Sequence, residues 1–162
     1  SIKFTTIRFS TPEDLRRLLA AHFPQCDVLV MAAAVADYRP VKGASGKIER
    51  GANTISLELE PTPDLVAACA KSKRPDQFLV GFALEDAAHL QNRAIEKLKR
   101  KGLDAIVANP LDTMGASTID ARVFELTHAS GAIKEHRPSR MEKTQFARWL
   151  AAWIGNASRS PA

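Results

Sequence analysis

Cysteine is scarce in this chain of 162 residues: only Cys26 and Cys69 occur, at a spacing that suits neither a metal nor a redox pair. A disulfide framework is excluded, and both are expected to be reduced thiols in a cytoplasmic setting. No apolar run approaches the 18 or so residues that a membrane span needs, so no span is expected. No basic-then-apolar leader opens the chain, so no signal peptide is expected. The nucleophile elbow, the HExxH helix, the Walker loop and the GxGxxG turn are all missing. A glycine turn that cradles phosphate is therefore absent or supplied from outside this chain. His22, His89, His128 and His136 are unclustered and are expected at the surface or at edges, and no metal site is expected. Aromatic residues make up 6%, without a helix-turn-helix or a stacking platform. The formal charge of +5 therefore points to a phosphate-bearing small molecule rather than to nucleic acid.

What remains is a globular composition, 45% apolar and 25% charged, of a length that supports one domain with a real core. There is no internal repeat and no linker. One α/β domain is expected over residues 1–156, with a frayed tail at 157–162. The chain begins at Ser1 rather than Met, as a piece of a longer protein would.

In order, residues 5–9 alternate and predict a short strand. Thr11 as cap, Pro12 at the first helical position and Glu13-Asp14 behind it predict a helix to about residue 23. Asp27-Val28-Leu29-Val30-Met31 predicts a strand covered on both faces, as in a parallel sheet. Residues 38–53, rich in Gly and Pro, predict a loop or flap. Residues 54–60 alternate and predict a strand with one wet face. Thr62 as cap and Pro63 as first residue predict the next helix. Two further buried strands are predicted at 77–84 and 104–109. Between them runs a helix over 86–101 that Gly102 ends. A hairpin is expected from 122–128 and 132–136. Ser139 and Glu142 predict a capping box that opens the last helix. Alternation of strands and helices predicts a Rossmann-like α/β fold. Its open, mostly parallel sheet would carry helices on both faces and an antiparallel edge hairpin.

Three predicted strands end in small residues: Met31-Ala32-Ala33-Ala34, Val80-Gly81-Phe82-Ala83 and Ile106-Val107-Ala108-Asn109. Parallel strands would line these ends along one rim, where ligands bind in open α/β sheets. Tight packing of helices on the sheet accounts for small residues as well. Asp37 and Lys47 flank the loop after the first of these strands. They suit a ribose or base contact and a point charge over phosphates, or an ordinary solvated loop. Lys97 and Lys101 stand four residues apart and share one helix face. With Lys47 they could neutralise a triphosphate, or they complement the helix dipole.

Taken together, Ala32-Ala33-Ala34-Val35-Ala36-Asp37-Tyr38-Arg39-Pro40, Lys47-Ile48, Pro63-Asp64-Leu65-Val66, Val80-Gly81-Phe82-Ala83-Leu84-Glu85, Lys97 through Asp104 and Ile106-Val107-Ala108-Asn109 resemble phosphopantothenoylcysteine synthetase. In many bacteria that enzyme is the C-terminal half of a bifunctional coenzyme A biosynthesis flavoprotein. The resemblance runs in order over about residues 26–150. It implies a ligase in which CTP (ATP in eukaryotic relatives) activates the carboxylate of 4′-phosphopantothenate as an acyl-nucleotide, with Mg²⁺ assisting. L-cysteine then displaces CMP. It implies nucleotide contacts at Met31, Ala32, Ala33, Asp37, Lys47, Pro63, Asp64, Leu65, Val66, Phe82, Lys97 and Lys101, with Lys47 the catalytic lysine. It further implies a homodimer and a fused flavin-dependent decarboxylase half. The alternative is a nucleotide-binding fragment or paralogue without catalysis.

Two departures stand out. Where the family carries Lys-Ile-Lys-Lys, this chain reads Lys47-Ile48-Glu49-Arg50. The family's N-terminal Gly-rich turn and its Ser/Asn-rich stretch find no match, and a segment ahead of Ser1 is expected to be missing.

Overall fold

The computed structural model describes residues 4–41, 54–127 and 130–159. In chain order these form α1 (Pro12–His22), β1 (Val28–Met31), β2 (Tyr38–Pro40), β3 (Leu59–Pro61) and α2 (Leu65–Lys71). There follow β4 (Phe78–Glu85), α3 (Leu90–Lys101), β5 (Ala105–Pro110), β6 (Thr118–Ile119), β7 (Arg122–Thr127), β8 (Ala132–His136), β9 (Met141–Glu142) and α4 (Lys143–Ala157).

The main sheet has the order β1-β4-β5-β7-β8. The first three strands are parallel, and β7 and β8 add an antiparallel hairpin beside β5. Aliphatic runs in β4 and β5 sit in the middle, where both faces must be covered. On one face Leu79, Ala83 and Ile106 pack with Val66 and Cys69 of α2 and with Leu90, Ala94 and Leu98 of α3. On the other, Val80, Ala105 and Val107 pack with Phe146, Leu150 and Ile154 of α4. Each of the Val, Leu, Ile and Phe side chains among them contributes roughly 1.5–3 kcal/mol by leaving water. The α/β architecture read from the alternation of elements is therefore the one observed.

Local chemistry explains several boundaries. Thr11 accepts from the Asp14 N–H while Asp14 accepts from the Thr11 N–H, a reciprocal cap that starts α1 where the sequence predicts. Gly102 takes the left-handed conformation, φ 67°, that closes α3 with little steric cost.

Other expectations fail for identifiable reasons. Residues 5–9 form no strand. Ile7 and Phe9 are exposed, and alternation makes a strand only where a partner offers its ladder. β1 is not covered on both faces: Val30 is 43% exposed, and among the described residues the strand pairs only with β4. Of the predicted strand at 54–60 only Leu59 and Glu60 pair, within β3 and against Tyr38–Pro40, while Ile55 and Leu57 stand in solvent. α2 begins at Leu65 with Asp64 as its cap, two residues later than Thr62 and Pro63 predict, because the Asp64 carboxylate takes the Ala67 N–H. α3 starts at Leu90 rather than at 86. Ser139 does not cap α4. Met141 and Glu142 are held in β9 against β6, and the cap becomes Glu142 with Gln145. That helix runs through Ala157, the first residue of the stretch read as a tail. Of the loop predicted over residues 38–53, Tyr38–Pro40 form a strand instead, because Leu59–Pro61 offers them an antiparallel partner, and residues 42–53 lie outside the described residues, as does His128.

Candidate functional site

The parallel arrangement of β1, β4 and β5 brings their C-terminal ends to one side of the sheet. The start of α2 and the last turns of α3 close over the ends of β1 and β4, leaving a cavity of about 100 Å³. Met31, Ala33 and Val35 line it from β1 and the chain behind it. Asp64, Leu65 and Val66 line it from the head of α2, and Gly81 and Phe82 from β4. Lys97 and Lys101 reach it from α3, over Leu103 and Ile106. Gly81 is small for a packing reason: a Cβ there would meet Leu103 Cδ1 at 2.6 Å. Packing and access to a ligand therefore ask for the same residue at this strand end.

Both lysines are held. Lys101 Nζ lies 3.0 Å from Asp64 Oδ2. Lys97 Nζ binds Glu85 Oε1, and Arg93 Nη1 lies 3.4 Å from the other oxygen of Glu85. Burial pushes the Asp64 carboxyl up. The Ala67 N–H and the Lys101 ammonium outweigh it and hold the group below the usual carboxylate range. Burial likewise pushes Glu85 up, and Lys97 and then Arg93 bring it below its ordinary value. Among the cavity-lining residues Lys97 and Lys101 outnumber the single carboxylate of Asp64, so the lining keeps a positive charge, which favours an anion. Near the same rim the side-chain oxygens of Thr62 and Asn109 are buried without a hydrogen-bond partner.

Eight of the sequence-predicted site residues therefore line one cavity: Met31, Ala33, Asp64, Leu65, Val66, Phe82, Lys97 and Lys101. Ala32 lies between two lining residues and is exposed. Asp37 is exposed beside the β2–β3 ribbon, its carbonyl accepting from the Thr62 N–H at 2.8 Å, and is not part of the cavity wall. Pro63 lines a different and larger groove of about 390 Å³ between α1 and α2. Lys47 lies outside the described residues. Sequence reasoning missed Glu85 and Arg93. The available signal was alternation along β4, which sets Glu85 on the strand face of Gly81 and Ala83.

The larger groove is a weaker candidate despite its volume. Its walls are Leu19, Ala20, Phe23, Leu65 and other mostly apolar groups, and its one charged side chain, Arg16, is already engaged by Glu13 at 2.7 Å. It offers few convergent polar groups to orient a ligand. Among the described residues no three His, Cys, Asp or Glu side chains gather to hold a metal.

Comparison with known proteins adds an independent observation. The sequence model of the DNA/pantothenate metabolism flavoprotein C-terminal domain matches residues 2–157. A coenzyme A biosynthesis bifunctional protein CoaBC from Mycolicibacterium smegmatis is 33% identical over 159 residues, covering 91% of this chain and 38% of that protein. A cysteine/cysteine sulfinic acid decarboxylase from an unknown prokaryotic organism is 47% identical over 94 residues, covering 58% of this chain and 26% of that protein. This chain thus spans between about a quarter and two-fifths of these curated relatives. The crystal structure of the DNA/pantothenate metabolism flavoprotein from Streptococcus pneumoniae superposes with a TM-score of 0.71, over 92% of this chain and 71% of that chain. At 22% identity that likeness concerns the fold.

Proposed function

The chain belongs to the DNA/pantothenate metabolism flavoprotein C-terminal domain family, and on that premise we propose that it is the nucleotide-binding part of a phosphopantothenate–cysteine ligase of coenzyme A biosynthesis. The observation that carries the reading is the convergence of Lys97 and Lys101 on the strand-end cavity beside Gly81 and Phe82. A triphosphate seated there meets ammonium groups as point charges, while the apolar strand ends and the Phe82 ring suit a base or ribose.

In the proposed reaction a carboxylate oxygen of 4′-phosphopantothenate attacks the α-phosphorus of CTP, and the bond to pyrophosphate breaks. The acyl-cytidylate so formed has a good leaving group. The amine of L-cysteine then attacks the acyl carbon, loses a proton and displaces CMP. Lys97 and Lys101 would offset charge that develops on the phosphates. Lys47, from the chain between β2 and β3, is assigned the catalytic point charge, and Asp37 a nucleotide contact, on family resemblance alone. Mg²⁺ would arrive on the nucleotide's phosphates, which it favours as ligands. CTP is preferred to ATP on the same resemblance.

A homodimer is part of this proposal. Tyr38, Ile55, Leu57 and Leu59 expose apolar surface on and beside the β2–β3 ribbon, and a second copy would cover it. A fused decarboxylase half is supported by the bifunctional and decarboxylase names of the relatives. Among the described residues no helix is long and apolar enough to cross a membrane, and a cytoplasmic location is proposed with the pathway.

The test is release of pyrophosphate when the protein is mixed with CTP, Mg²⁺, phosphopantothenate and cysteine. Release that depends on phosphopantothenate supports the ligase. Intact CTP binding without release favours the alternative, nucleotide binding without catalysis.

A further inference from the structure

Glu85 is a buried charge that the proposed reaction does not use. It sits at the C-terminal end of β4 and is 4% exposed. It does not line the strand-end cavity, yet it touches a residue that does: Oε1 binds Lys97, and Oε2 faces Arg93 at 3.4 Å. A carboxylate this buried is costly to leave unpaired, so Lys97, which binds it directly, is held against it, while the more exposed Arg93 stands farther off. A lysine is otherwise a flexible four-carbon stem whose rotamer freedom must be lost on meeting an anion. An ammonium has three donors. One taken by Glu85 leaves two for a ligand in the cavity.

We propose that Glu85 is a positioning residue for polyphosphate binding: through its hydrogen bond to Lys97 it holds that ammonium at the cavity mouth before the ligand arrives. The inference rests on the nucleotide-site reading above and adds a residue to it. It carries a sign that simple charge counting reverses. If Glu85 only neutralised Lys97, removing its charge would strengthen anion binding. If it positions Lys97, removal weakens binding.

The experiment is a double-mutant cycle read by calorimetric titration of inorganic tripolyphosphate into the wild type, Glu85→Gln, Lys97→Ala and the double variant, with thermal unfolding of each. Each single change is expected to weaken binding by about tenfold, and the double variant to bind no more weakly than either single one. Glu85→Asp keeps the buried charge but withdraws it by one methylene. It is expected to lose affinity several-fold as Lys97 loses its anchor, and it replaces Glu85→Gln in the cycle if that variant does not fold. Unchanged or tighter binding on loss of Glu85, effects that multiply toward about a hundredfold in the double variant, or no tripolyphosphate binding by the wild type would each overturn the proposal. CTP titrated in parallel separates the two readings. The expected cycle with tripolyphosphate but no binding of CTP would leave Glu85 as a positioning residue and remove the ligase.

Discussion

Lys101 Nζ lies 3.0 Å from Asp64 Oδ2, so the last turn of α3 is tied to the cap of α2 across the mouth of the cavity. The other oxygen of the same carboxylate accepts the Ala67 N–H at 3.1 Å. Asp64 thus serves as helix cap and ion-pair partner at once. Asp64→Ala is expected to cost about 1 kcal/mol in denaturant unfolding, and Asp64→Asn less, because the amide oxygen still caps. Equal losses for the two would mean that the ion pair, not the cap, is the larger contribution.

The two cavity lysines should part company in stability while agreeing in binding. Lys101 pairs with a partly exposed carboxylate, and such a pair is worth at most about 1 kcal/mol. Lys97 covers Glu85, whose side chain is nearly inaccessible, and its loss leaves that charge with the more distant Arg93. Lys97→Ala is therefore expected to lower stability by about 1–3 kcal/mol and Lys101→Ala by less. Both should weaken CTP binding in calorimetry. A Lys97 variant as stable as the wild type would contradict the account of Glu85.

The exposed apolar surface of the β2–β3 region predicts self-association. Leu57 is 62% exposed although it belongs to an alternating apolar sequence. The wild type is expected to sediment as a dimer, and Leu57→Asp as a monomer with unchanged secondary structure by circular dichroism. A wild type that remains monomeric at high protein concentration would remove this part of the proposal.

Acid should destabilise the fold. Asp64 and Glu85 are held below their ordinary values of 3.8 and 4.5 in the native state. Glu135, paired with Arg122, is shifted the same way. The unfolded chain therefore binds more protons than the native one in this range, and stability rises with pH there. The contribution is complete above the unfolded values and is lost as the pH falls through the folded ones. The unfolding temperature is expected to be nearly level from neutral pH to about 5 and to drop below that, with a shallower acid limb in Glu85→Gln. An acid limb of equal steepness in that variant would exclude Glu85 as a contributor.

Much of this was legible in the sequence, wherever a short stretch decides its own structure. The Thr11–Asp14 cap, the aliphatic runs of β4 and β5, Gly102 and the pairing of β7 with β8 are local signals. The lysine pair was legible too, since four-residue spacing on a helix fixes a shared face whatever the rest of the chain does. What failed depended on partners. Val30 reads as doubly buried because an apolar run does not reveal that its strand lies at a sheet edge. Asp64 outcompeted Thr62 and Pro63 as the start of α2 by one hydrogen bond to Ala67. Glu85 escaped notice because its meaning comes from packing: Lys97 is twelve residues away and meets it only when α3 lies on β4. Pro63 and Asp37 were grouped with the nucleotide contacts by family resemblance; space puts Pro63 in the neighbouring groove and Asp37 beside the ribbon.

The central claim, that the strand ends of β1 and β4 receive a nucleotide, is tested most directly by titrating CTP with Mg²⁺ into ¹⁵N-labelled protein and following its amide resonances. The account predicts saturable shifts at Val66, Gly81 and Phe82, lost when Lys97 and Lys101 are both replaced by Ala, with Leu19, Ala20 and Ala68 of the larger groove undisturbed. Shifts confined to that groove, or none at any CTP concentration, would contradict it.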